Sequence, residues 1–147
     1  MAIFGWITLA IAACVVLYVV TLIDDWGRDW TQNHAKLDAD NRDAELHPLM
    51  LSAAPTQVAD RIKSWAAADS RWHVENVQDH GDRVDIHLTR STGLMRFTDD
   101  IRVKITATEG GCRVDAESQS RVGKGDLGQN PRNLKELIRS LTDGRQV

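Results

Sequence analysis

The chain opens on one long apolar run, and the period of its hydrophobic positions changes downstream. From Ala2 to Ile23 there are 22 residues without a charged side chain. At about 1.5 Å per residue that run covers the roughly 30 Å of a bilayer's hydrocarbon, so it predicts a transmembrane helix over 2–23. Trp6 lies near one end. Trp26 and Trp30 follow the other, where interfacial aromatics are favoured. No Lys or Arg precedes the run, and it is too long for the apolar core of a cleaved signal peptide. Ile11-Ala12-Ala13-Cys14 has the look of a lipid-attachment box, but Val15 to Ile23 stays apolar where a lipoprotein would turn polar. The nearby cations, Arg28 and Lys36, follow the run and lean towards a cytoplasmic domain by the positive-inside rule. Two charges leave the side of the membrane open.

Residues 24–54 read as an acidic tether. Trp26, Trp30, Asn33 and Leu37 fall at helical spacing, as if the first helix continued outward until His47-Pro48, where the residue before proline disfavours helix. Asp38 to Asp43 superficially suggests a calcium loop. Arg42 at a ligand position and the missing turn glycine argue against it.

Residues 55–147 carry the pattern of a soluble α+β domain. Val58, Ile62, Trp65 and Ala66 form one face of a helix that starts at Pro55-Thr56, with Thr56 as its cap. Four period-two runs follow: about Trp72–Gln78, Arg83–Arg90, Leu94–Thr108 and Cys112–Val122. Asp79-His80-Gly81-Asp82 and Gly110-Gly111 supply turns. Asn130 and Pro131 open a last helix as N-cap and first position, with Leu134, Leu137, Ile138 and Leu141 as its core stripe and Gly144 as its stop. The predicted fold is therefore an N-terminal transmembrane helix followed by a helix, a four-stranded antiparallel meander and a helix. The two amphipathic helices would cover one sheet face. The other face would carry Asp85, His87, Asp100, Arg102, Lys104, Arg113, Asp115, Glu117 and Arg121.

Charge refines this outline. The net charge is −3, which disfavours a basic nucleic-acid binder. Residues 24–55 hold three basic and seven acidic side chains, so the acidity belongs to the tether. Such a stretch is repelled by anionic lipid heads. Two cysteines make no disulfide framework, and the five histidines show no metal spacing. No cofactor and no metal are expected.

Arg96-Phe97-Thr98-Asp99-Asp100 and the run from Ser118 to Asn130 resemble the signatures of the family catalogued as domain of unknown function 1499. The likeness covers residues 56–142. It implies a small bacterial or plastid domain, often behind a membrane or export segment, with no established general activity. For this chain that suggests a single-pass protein of a bacterial inner membrane. Glu117, Asn133 and Leu134 depart from the family's usual Arg, Arg and Ile.

The candidate site residues are Arg96, Asp99, Asp100, Ser118, Ser120, Arg121, Gly123, Asp126, Gly128 and Asn130. Alternation puts Asp99 on the core face with Ser118 and Ser120, and a buried carboxylate needs hydrogen bonds. Asp100 and Arg121 share the opposite face and are placed to pair across the sheet. Asp126 is set to tie its glycine loop through backbone N–H groups. These residues form either a structural staple or an interaction site. Adjacent Asp99 and Asp100 point to opposite faces and do not act jointly, and no histidine is placed beside Ser118 or Ser120. Gly123-Lys124-Gly125 lacks the order of a phosphate loop. The first functional expectation is a non-enzymatic accessory module. It would be held at the bilayer by residues 2–23 and dock on a membrane protein complex or envelope component. The alternatives are a domain binding a small ligand or lipid between sheet and helices, and a hydrolase using Ser118 or Ser120 with Asp99.

Overall fold

In the computed structural model, residues 2–22, 27, 32–91 and 97–142 are described. Helix α1 (Ala2–Leu22) comes first. Strand β1 (His34–Lys36), a 3-10 turn (Ala44–Leu46) and strand β2 (Leu49–Leu51) follow. Helix α2 (Pro55–Ala67) leads into β3 (Trp72–Asp79), β4 (Arg83–Ser91), β5 (Thr98–Thr108) and β6 (Gly111–Ser120). Helix α3 (Gln129–Thr142) ends the described chain.

The long strands form the expected antiparallel meander, but the sheet has six strands rather than four. Its order is β1-β6-β5-β4-β3, with β2 also on β6. The two extra strands are short and come from the stretch read as an exposed tether. They share the outer edge of β6: His34–Lys36 lie opposite Glu117–Gln119, and Leu49–Leu51 opposite Cys112–Val114. The physical reason is burial of the apolar residues that punctuate this acidic segment. Ala35, Leu37, Leu46 and Leu51 all enter the core, which three-residue strands too short for a periodicity signal can accomplish. His47-Pro48 therefore separates a 3-10 turn from a strand and ends no long helix.

The transmembrane helix expected over 2–23 is also corrected. Residues 2–22 are helical, yet among the described residues no helix is long and apolar enough to cross a membrane. The described α1 side chains are exposed, and the core cluster is built from residues 35 onward. Trp26, Trp30, Arg28, Arg96 and Gly144 lie outside the described residues.

One sheet face is covered by both later helices. Helix α2 lies on β3, β4 and β5; α3 lies on β6, β1 and the 3-10 turn. Val58 and Ile62 from α2 and Leu134, Leu137 and Leu141 from α3 meet Val84, Ile86, Leu88, Ile101, Ile105 and Val114 from the sheet, all buried. Helix α2 starts without a Thr56 cap: its N-cap is Ala54, whose N–H donates to Gln57 Oε1 at 3.2 Å. Phe97 alternates with the core face but stands before β5 begins and remains 47% exposed.

Candidate functional site

The loop from Arg121 to Gly128 sets the geometry of the start of α3. Asp126 performs the capping expected of Asn130. Its Oδ1 accepts from Gly128 N–H at 2.9 Å and its Oδ2 from Asn130 N–H at 2.8 Å, binding N–H groups that a helix start leaves unpaired. Leu127 takes φ 51° and Gly128 φ 76°, a left-handed pair in which Gly128 avoids the penalty a side chain brings. With Asp126 as the cap, Asn130 is free to turn inward.

Inside the sheet–helix interface, Asn130 and Asn133 hold a buried polar network. Ser118 Oγ donates to Asn130 Oδ1 at 2.6 Å, and Asn130 Nδ2 donates to Ser120 Oγ at 3.0 Å and to the Asn33 carbonyl at 2.7 Å. Asn133 Nδ2 donates to Asp99 Oδ2 at 2.9 Å and to Ser118 Oγ at 3.1 Å. Asn133 Oδ1 accepts from Arg90 Nη1 at 2.9 Å and Gln129 Nε2 at 2.7 Å. Arg90 also reaches Glu136 Oε2 at 3.1 Å and sits 5.5 Å over the Trp72 ring. Burial pushes the Arg90 guanidinium below its ordinary pKa, against the pull of Glu136 and Asp99. Among the described residues, Arg90 Nε and the Trp72 indole N–H are buried without a hydrogen-bond partner.

The opposite sheet face carries a second group. Arg121 forks onto Asp100 with two hydrogen bonds of 2.8 Å, and His87 Nε2 lies 2.8 Å from Asp100 Oδ1. The Arg121 guanidinium, aided by His87, holds the Asp100 carboxyl at about 2, well below its usual range. Beside it lies an open depression of about 500 Å³ bordered by Asn76, Gln78, His87, Arg102, Lys104 and Glu117. The charges along it alternate in register: Asp85, Lys104 and Asp115 form one row, and His87, Arg102 and Glu117 the next.

The predicted residues thus divide between two places. Asp99, Ser118, Ser120 and Asn130 meet in the buried network; Asp100 and Arg121 meet on the open face; Gly123, Asp126 and Gly128 shape the loop. Arg96 lies outside the described residues. Arg90, Asn133 and Asn33 were missed. Arg90 continues the inward series Val84, Ile86 and Leu88, and Asn133 stands three residues after Asn130 on the same helix face, so both left a spacing signal. Asn33 left none, because its part is played by a backbone carbonyl.

Chemically, the network is closed. Ser118 is 0% exposed and its hydroxyl is already committed to Asn130, while His87 belongs to the other sheet face. Among the described residues, no group of three or more His, Cys, Asp and Glu side chains is placed to hold a metal ion.

These features define a small α+β domain with one sheet face sealed by helices through a polar network and the other open and charge-patterned. The family described as "Protein of unknown function (DUF1499)" matches residues 28–141, and the chain belongs to that family. No curated protein and no solved structure matches the chain.

Proposed function

We propose that the chain is a non-enzymatic accessory module that associates with a lipid bilayer through residues 2–22. Its open sheet face would dock on a membrane protein complex or envelope component. The observation that carries this reading is the exposure of α1: Phe4, Trp6, Leu9, Ile11, Val16 and Leu17 are each more than half exposed. A continuous apolar surface of this kind is unfavourable in water and marks a lipid or protein contact. The open face adds support. Several of its charges are paired, as Asp100 with Arg121 and Arg113 with Asp115, and such patterning favours register and partner choice. The filled sheet–helix interface weighs against a ligand held between the layers, since Ile62, Trp72, Ile101 and Leu134 occupy that space.

The test is affinity purification from native membranes in mild detergent, with the full chain beside one lacking residues 1–23. Recovery of a stoichiometric partner by the full chain, lost on Arg121→Ala without loss of folding, is expected. A chain that leaves the membrane fraction in salt washes and recovers no partner would overturn the reading.

A further inference from the structure

The end of the sheet where β5 begins and β6 finishes brings together features that the network and the docking face do not use. The pairing of Asp99 with Ser120 and the Arg121 N–H to Thr98 carbonyl bond of 3.1 Å set Phe97 and Val122 opposite one another just past the ladder. Val122 is 62% exposed, the most exposed large apolar side chain outside α1 among the described residues, and Phe97 is 47% exposed. Single exposed apolar residues are ordinary, whereas an adjacent pair on a loop rim forms a patch. Lys124 on the same loop is exposed and makes no ion pair among the described residues. The neighbouring Asp126 carboxylate is turned onto backbone N–H groups.

The chain arriving from α1 is fastened at this same end. Ser120 N–H donates to the Asn33 carbonyl at 2.9 Å, and Asn33 Nδ2 donates to the Gly123 carbonyl at 2.8 Å. The chain from α1 therefore enters the domain at this rim, and the far end of the sheet lies about 30 Å away at 3.3 Å per residue.

We propose that the rim formed by Phe97, Val122 and Lys124 seats in the headgroup region of the bilayer that holds α1, so that the sheet stands on that end and keeps its charged face free. The apolar pair enters the interface while Lys124 meets lipid phosphates. This inference rests on the lipid association proposed above, and the experiment separates the two.

Full-length protein carrying Cys14→Ala is labelled with an environment-sensitive fluorophore at Val122→Cys or, as a control at the opposite end of the sheet, at Met50→Cys. Each is mixed with phosphatidylcholine–phosphatidylglycerol vesicles and followed by flotation and fluorescence. The expected result is flotation of both, with a blue shift, a gain in intensity and quenching by spin-labelled lipid at position 122 alone. Flotation with a water-like signal at position 122, or equal shifts at both positions, would overturn the seated rim and leave the lipid association standing. Failure to float would overturn both.

Discussion

Asp99 and Arg90 occupy paired positions on β5 and β4, both buried, and Asn133 joins them: its Nδ2 donates to the carboxylate and its Oδ1 accepts from the guanidinium, each at 2.9 Å. One neutral side chain thus serves two buried charges of opposite sign. Removing it takes a hydrogen bond from each, although Arg90 keeps Glu136. Asn133→Ala should cost about 3 kcal/mol in urea unfolding, chiefly from the buried Asp99 carboxylate losing its amide donor. Asn133→Asp should cost more, because it sets a second carboxylate beside Asp99. A loss under about 0.5 kcal/mol for the alanine variant would mean that water replaces the amide without cost.

Asn130 fastens a different junction. Its side chain ties β6 to the carbonyl of Asn33, ahead of β1. Asn130→Ala should cost about 2 kcal/mol through the Ser118 hydroxyl left without its acceptor and the lost tie to the Asn33 carbonyl, which keeps its bond from Ser120 N–H. Hydrogen exchange should show the effect locally, with the β1 amides losing protection well before those of β4 and β5. Uniform loss across the sheet would contradict this placement.

Much of this arrangement is visible in the residues before any coordinates. Alternation separates Asp99 from Asp100 and aims Ser118 and Ser120 inward, because the period of a strand leaves no choice. The amphipathic stripe of α3 is equally explicit. β1 and β2 are not, since three residues show no period, and their apolar side chains sit among seven acidic ones. The capping exchange between Asp126 and Asn130 is hidden for another reason. Both residue types cap helices well, and only the left-handed step at Leu127-Gly128 decides which one does.

The open face should respond to acid. Arg121 and His87 depress the Asp100 carboxyl to about 2. A depressed carboxylate stabilises the fold fully above its unfolded value near 3.8, and that contribution is lost as pH falls towards 2. Asp69, held at about 2 chiefly by Arg71, behaves the same way. Arg121→Ala removes the largest cause, so Asp100 should titrate at higher pH in a carboxyl NMR titration, while Asp69 stays where it is. Thermal stability at neutral pH should change little, because Arg121 is exposed and solvent screens the pair. An unmoved Asp100 titration would show that the fork is not populated in solution.

Gly111 tests whether β2 belongs to the sheet. It has φ 144°, and a Cβ there would collide with the Leu51 carbonyl oxygen and lie 2.8 Å from Ser52 Cα. Both obstacles are backbone, so neither can swing aside as a side-chain tip would. Gly111→Ala should therefore cost about 3 kcal/mol from backbone strain and overlap together. The loss should fall on one edge: β2 lifts from β6, and Leu51 leaves the core. The ladder from β3 to β6 is held by its own pairing and by both helices, so it should persist. Exchange of the Leu49 and Leu51 amides should accelerate far more than that of Ile101 or Val103. If those amides stay protected while the whole domain melts in one step, β2 is an inseparable part of the cooperative core rather than a strand clipped to its edge.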